Sequence, residues 1–184
     1  VDQRYGGGGM DNISYGLIMQ ELERGDSGMR STASVQSSLV MYPIEAYGSE
    51  EQKKKYLPRL ASGEILGCFG LTEPDFGSNP GGMITKLEDH GDYYLLNGSK
   101  MWISNSPIAD IAVVWAKDEN KRIKGVIVEK GMEGFSAPKT EGKLSLRSSL
   151  TGELVFNDVK IPKDNILPRK DGLGAPLGCL DKAR

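Results

Sequence analysis

The chain has 184 residues, 38% of them hydrophobic and 26% charged, with a formal net charge of −2. That length admits one domain or two small ones, and so near-neutral a balance gives no electrostatic footing for nucleic acid. No apolar run approaches the roughly 18 residues of a membrane-spanning helix, and the two cysteines, Cys68 and Cys179, are too few and too scattered for a disulfide framework or a zinc site.

The opening Val1-Asp-Gln-Arg-Tyr, followed by four glycines, carries no signal-peptide pattern and reads as a chain joined part-way through. From Met10 to about Leu60 the spacing predicts helices. Asn12 or Ser14 is placed to cap a first one through Ile13, Leu17, Ile18, Met19 and Leu22, ended by Gly25. A second is predicted from about Ser27 to Met41, stopping before Pro43. A third covers Glu50 to Leu60, with Ser49 as cap and Glu50 and Glu51 at the positive end of its dipole. The Lys53-Lys54-Lys55 run reads as a solvated face.

In the second helix Ser34 follows Arg30 by four residues, and Ser37 and Ser38 lie three and four residues further on, which aligns a guanidinium and small hydroxyls on one face. Two readings fit: a solvated polar face, or a site where Arg30 forks two N–H donors onto a carboxylate.

From Gly63 onward the chain turns to strand-formers. Leu66–Leu71, Ile84–Glu88, Tyr93–Leu96, Met101–Ile103, Ile111–Ala116, Gly125–Glu129 and Glu153–Phe156 are short β-like runs. Gly91-Asp92, Asn97-Gly98, Lys117 to Lys121 and Gly131 stand between them as turns. Such spacing predicts an antiparallel sandwich or barrel, and the lack of βαβ alternation disfavours a Rossmann fold. His90, the one histidine, sits at a predicted hairpin tip and reads as inert.

Two further stretches read either as an ordinary strand connection and an ordinary core Trp or as a site with chemistry. Phe69-Gly-Leu-Thr-Glu-Pro-Asp-Phe-Gly-Ser78 breaks from an apolar run into a loop, and Lys100-Met-Trp-Ile-Ser-Asn-Ser106 sets a Trp among β-formers. Thr72, Ser78 and Ser104 offer hydroxyls, Gly77-Ser78 leaves backbone N–H groups open to a phosphate, and Trp102 offers a face for stacking. A flat, electron-poor, anionic ligand suits them. Glu73 and Asp75 resemble an acid–base pair, with Pro74 fixing the loop between them.

Together with Glu21-Leu-Glu-Arg-Gly-Asp-Ser-Gly28, Ser34-Val-Gln-Ser-Ser-Leu-Val-Met41, Tyr47-Gly-Ser-Glu-Glu-Gln52, Lys55-Tyr-Leu-Pro58, Gly142-Lys-Leu-Ser-Leu-Arg147 and Leu177-Gly-Cys-Leu180, these stretches resemble the acyl-CoA dehydrogenase family, and within it the glutaryl-CoA dehydrogenases. The resemblance implies an α+β chain: the end of an all-α helical domain (1–65), a middle antiparallel β domain (66–175), and the start of a C-terminal helical domain (176–184). It implies an FAD cofactor held by Phe69, Gly70, Leu71, Thr72, Gly77, Ser78, Trp102, Ile103 and Ser104. Thr72 would meet the pyrimidine side of the flavin, and Ser78 would lie between pyrophosphate and acyl-CoA. Arg30, Ser31, Ser34 and Ser78 would contact substrate, with Arg30 and Ser31 on the free carboxylate of a glutaryl group. Lys139 to Lys143 and Arg147 would lie near a CoA phosphate. For Glu73 and Asp75 the resemblance implies a loop-shaping role.

The reaction so implied is α,β-dehydrogenation of glutaryl-CoA, with loss of CO2 to crotonyl-CoA and electrons passed to an electron-transfer flavoprotein. The family's base is a Glu in the C-terminal helical domain, so these 184 residues by themselves are expected to be inactive. The resemblance further implies a homotetramer, in the cytoplasm of a bacterium or the mitochondrial matrix of a eukaryote. Ser104 stands where the family often has Thr, and Asn79 where it has Asp, so each position keeps a hydrogen-bonding group. A general short-chain acyl-CoA dehydrogenase, a glutaryl-CoA dehydrogenase that does not decarboxylate, and a non-catalytic flavin- or CoA-binding module remain as alternatives.

Overall fold

The computed structural model describes residues 1–183. Helices come first. α1 (Asn12–Gly25) is capped by Asp11, whose carboxylate accepts from the Ser14 N–H at 2.8 Å. Asp26 ends α1 in an extended conformation and caps α2 (Ser27–Ser34), accepting from the N–H groups of Gly28 and Met29. One aspartate thus sets the corner between two helices.

The helical path does not stop before Pro43. It widens into a π-helical segment, Val35–Met41, and runs on as α3 (Tyr42–Tyr47). Pro43 is tolerated because it sits in the first turn of α3, where its missing N–H costs least, while the Tyr42 N–H reaches back five residues to the Ser37 carbonyl. α4 (Glu50–Ala61) starts as expected, and its capping box is complete: Ser49 accepts from the Gln52 N–H and the Gln52 side chain accepts from the Ser49 N–H. Lys53 departs from its solvated reading, being buried and paired with Glu50 at 3.0 Å. Val35 is buried as well, whereas α1 buries none of its residues.

Seven strands follow: β1 (Gly67–Gly70), β2 (Lys86–Asp89), β3 (Tyr93–Ser104), β4 (Ile111–Asp118), β5 (Ile123–Glu129), β6 (Phe135–Ser136) and β7 (Thr151–Pro162). They form one curled sheet ordered β1-β4-β2-β3-β7-β6, with β5 on the other edge of β4. The expected antiparallel domain is a mixed sheet, because β4 runs parallel to β1 over its first half and to β2 at its end. β4 has neighbours along both edges and cores on both faces, which explains the unbroken apolar run from Ile111 to Ala116. A last helix, α5 (Gly174–Ala183), returns to the helical side.

Alternation along β4 separates two cores. Ile111, Val113 and Trp115 face the helices, packing with Val40, Ile44, Leu57 and Leu60. Ala112, Val114 and Ala116 face the interior of the curl, with Leu96, Leu154, Phe156 and Ile161. Close contact between helices and sheet depends on Gly67, where a Cβ would lie 2.4 Å from a Val40 methyl. Gln36 joins the two by hydrogen bonds alone: its amide donates to the carbonyls of Leu60 and Ile65 and its oxygen accepts from the Gly67 N–H at 2.9 Å.

Asn97-Gly98 is not a turn. It lies inside one continuous strand, opposite a bulge in β7, where Asp158 is the extra residue at φ 52°. The side chains of Asn97 and Asp158 bond across it, and Gly98 itself takes φ 137°. A dipeptide suited to positive φ here serves a bulge, as readily as it serves a hairpin.

Candidate functional site

β1 delivers the chain to the loop at Leu71, and β3 runs past that loop in the opposite sense, so the two stretches singled out above meet. The Met101 N–H donates to the Thr72 carbonyl at 2.9 Å. Lys100 and Glu73 secure the contact from within the sheet. The Lys100 ammonium lies 2.8 Å from Glu73 Oε1, donates to the Leu71 carbonyl at 3.2 Å, and is 0% exposed. Glu73 also accepts from the backbone N–H groups of Ile84 and Thr85.

Burial opposes charge on both partners. It pushes the Lys100 ammonium down to about 8, still protonated at neutral pH. Burial would raise the Glu73 carboxyl, but the Ile84 N–H, Lys100 and Thr85 outweigh it and hold the group below the usual carboxylate range. With both oxygens engaged, Glu73 shapes the loop and is not placed to take a proton. Asp75 is exposed beside it.

Thr72 is therefore fixed from both neighbours and through its own carbonyl, while its hydroxyl bonds to nothing among the described residues. Trp102 is presented by a second irregularity. Period-two alternation would send Trp102 to the same interior as Lys100, but β3 carries one extra residue between Lys100 and Ile103 and Trp102 takes φ 62°. Its ring consequently lies 63% exposed between Lys100 and Ile103, which are buried. An aromatic side chain held left-handed and open is a strained arrangement of the kind found at ligand sites.

The other expected flavin residues divide. Phe69 is in the core, its ring 6.1 Å from that of Trp115, so it offers only backbone; Gly70, Leu71 and Ile103 are buried with it. Ser104 is half-buried with a free hydroxyl. Gly77 and Ser78 are exposed beyond the Glu73–Phe76 bridge.

Three of the residues expected to meet substrate, Arg30, Ser31 and Ser34, lie on α2, while Ser78 belongs to the loop after β1. Ser31 reaches Ser149 at 3.5 Å, and Ser149 lies two residues before Thr151, the strand partner of Ser104. Asp26 at the head of α2 accepts from Ser148, fixing the helix to the same loop. In that loop Lys143 is spent on the carbonyls of Leu146 and Ser149 and the Thr151 hydroxyl, so it is a strut, while Arg147 is exposed.

Arg30 and Ser34 line a groove of about 990 Å³ between α1, α2 and α5, with Tyr15, Glu23 and Tyr42. The Arg30 Nε donates to Glu23 at 2.7 Å, and the Ser27 hydroxyl together with this guanidinium holds Glu23 below the usual carboxylate range. No other described residue takes the terminal nitrogens of Arg30. Ser34 shares a hydrogen bond with Tyr15, whose hydroxyl also accepts from Ser38.

Sequence reasoning missed Lys100, Asn105, Tyr15 and Ser149. Only Lys100 left a signal: a lone lysine two residues before the Trp, in a strand with an apolar inner face.

A helical segment leading into a curled mixed sheet, with a braced loop beside an open tryptophan, defines an α+β protein with an exposed aromatic surface. Residues 1–64 match the model of the acyl-CoA dehydrogenase N-terminal domain, and residues 68–159 that of the acyl-CoA dehydrogenase middle domain. The chain belongs to the acyl-CoA dehydrogenase family. It is 41% identical to a mitochondrial isovaleryl-CoA dehydrogenase of Pongo abelii, covering 98% of this chain and 44% of that one. It is 43% identical to a short-chain-specific acyl-CoA dehydrogenase of Clostridium acetobutylicum, covering 95% and 47%. A crystal structure of a glutaryl-CoA dehydrogenase from Mycobacterium smegmatis in complex with FADH2 superposes with a TM-score of 0.95 at 54% identity, over 97% of this chain and 46% of that one. The chain thus spans about half the length of the relatives it matches. Among the described residues no helix is long and apolar enough to cross a membrane, and no cluster of His, Cys, Asp and Glu is arranged to hold a metal ion.

Proposed function

We propose that this chain supplies the flavin platform and part of the acyl-CoA site of an FAD-dependent dehydrogenase acting on glutaryl-CoA. The observation that carries the reading is the pairing of an open Trp102 ring with the unspent Thr72 hydroxyl, on two segments locked by a buried ion pair. A flat ring system fits such a surface: Trp102 stacks, Thr72 and Ser104 hydrogen-bond, and Gly77 and Ser78 leave their backbone open to a pyrophosphate. When bound, FAD supplies the hydride-accepting chemistry, and the protein's share is to bind, orient and exclude water.

Substrate choice rests on Arg30. Its guanidinium faces a groove large enough for an acyl chain, and Glu23 uses only its Nε, which leaves terminal N–H donors for the distal carboxylate of a glutaryl group. Ser31 and Ser34 lie on the same helix, and Ser78 is assigned to the acyl-CoA side of the flavin loop. The 54% identity to a glutaryl-CoA dehydrogenase supports this choice; the identities of 41% and 43% to isovaleryl- and short-chain enzymes make those the competing readings. Following the family resemblance, the reading assigns α-proton removal to a Glu outside these residues. It also includes the domain division at 65 and 175, loss of CO2 to crotonyl-CoA, electron transfer to an electron-transfer flavoprotein, and a homotetramer.

The test is an anaerobic absorbance titration of the full-length protein. Glutaryl-CoA is expected to bleach the oxidised flavin band, and butyryl-CoA much less. Bleaching by butyryl-CoA alone would move the assignment to a short-chain enzyme, and absence of bound flavin would leave only a non-catalytic module.

A further inference from the structure

Four residues of β3, Met101 to Ser104, carry the open ring, its left-handed backbone and a free hydroxyl. They are bounded by two polar side chains of 0% exposure, Lys100 and Asn105. Both reach the same short strand, β1, although β1 and β3 are not hydrogen-bonded neighbours in the sheet. Lys100 donates to the Leu71 carbonyl just past one end of β1 and pairs with Glu73. At the other end the Asn105 amide donates to the Gly67 carbonyl at 3.3 Å. The backbone N–H of Asn105 is held by the Leu150 carbonyl at 2.7 Å.

Stability alone does not account for these ties. A buried ion pair is commonly matched by apolar side chains of similar volume. Asn105 leaves its side-chain oxygen buried without a partner among the described residues and takes φ 68°, and Trp102 adds a second left-handed residue three positions earlier. Several unfavourable features thus fall on one segment, and what they share is its placement against β1.

We propose that Lys100 and Asn105 are positioning residues for the cofactor. By pinning both ends of Met101–Ser104 to β1, they set the outward presentation of Trp102 and its spacing from Thr72. This rests on the flavin reading given above.

The experiment compares two variants of the full-length protein with the wild type, each stripped of flavin and titrated with FAD by fluorescence quenching. Lys100→Met with Glu73→Gln removes both charges together, so no buried charge is left unpaired, and Gln keeps one of the two oxygens that accept from the Ile84 and Thr85 N–H groups. Asn105→Gly keeps the left-handed backbone and removes only the amide. Both are expected to bind FAD about tenfold more weakly or worse and to alter the visible circular dichroism of the bound flavin, with unchanged far-UV spectra. Asn165→Ala serves as the control: it removes a buried bond to the Ile127 carbonyl remote from the loop, and should lower Tm without changing the FAD titration. Wild-type affinity and spectrum in both folded variants would overturn the proposal, as would equal weakening in Asn165→Ala. A wild-type protein that takes up no FAD would instead overturn the flavin reading itself.

Discussion

Two glutamate–cation pairs of nearly the same length occupy opposite surroundings. Lys100 and Glu73 meet at 2.8 Å with side chains 0% and 1% exposed, and Arg30 and Glu23 meet at 2.7 Å with side chains 37% and 47% exposed. The first has all its capacity taken by backbone and partner. The second leaves terminal nitrogens facing a groove. A short distance therefore says little about role: the sealed pair fixes one stretch of chain on another, and the open pair leaves donors facing the groove.

Breaking the sealed pair should have the largest effect. Lys100→Met alone leaves Glu73 buried and unpaired, and is expected to cost about 3–5 kcal/mol in urea denaturation. Adding Glu73→Gln should recover much of it, and a double variant no more stable than the single one would show that the pair is not coupled. Next comes Gly67→Ala, whose new methyl meets Val40 at 2.4 Å; overpacking of this kind costs about 1–3 kcal/mol, and Val40→Ala in the same chain should restore part of it.

The sealed pair also has a pH signature. Glu73 is held below its ordinary value of 4.5, so in the window below that value the unfolded chain binds more protons than the folded one. Its contribution is complete above pH 4.5 and shrinks as pH falls further. Denaturation midpoints measured from pH 6 to pH 3 should decline in that window, and Glu73→Gln should flatten the decline.

At the open end, effects on stability become small and effects on ligands large. Trp102→Gly removes an exposed ring and a left-handed strain worth about 1 kcal/mol, so stability should change little while flavin retention collapses. Arg30→Gln should shift stability by no more than about 0.5 kcal/mol. In the full-length protein it should lower kcat/KM for glutaryl-CoA about a hundredfold, as the loss of a charged contact does, and leave butyryl-CoA unaffected. Equal losses on both substrates would remove the carboxylate role.

How much of this was legible depended on the range of the forces. α4 could be read from Ser49 and Gln52 because a capping box is settled within four residues. Ile111 to Ala116 announced a buried strand, though not that two of its neighbours would run parallel, since direction is set by how the intervening chain returns. Asn97-Gly98 was misread because positive φ is shared by turns and bulges. The widened turn at Val35–Met41 left no mark on the spacing, and Pro43 suggested an end that the first turn of α3 absorbs. In the site, Thr72, Trp102 and Ser104 stood out by residue type. Lys100 and Glu73, 27 positions apart, meet only once the sheet has curled. That separation kept the frame of the site hidden while its exposed chemistry was visible.

The strand that separates the two cores has a consequence for dynamics. Because Val113 and Val114 are adjacent in sequence yet belong to different cores, losing β4 removes part of both cores at once. Backbone amides along Ile111–Ala116 should therefore exchange with solvent deuterium only through global unfolding, and truncating either valine should speed that exchange on both sides of the sheet at once.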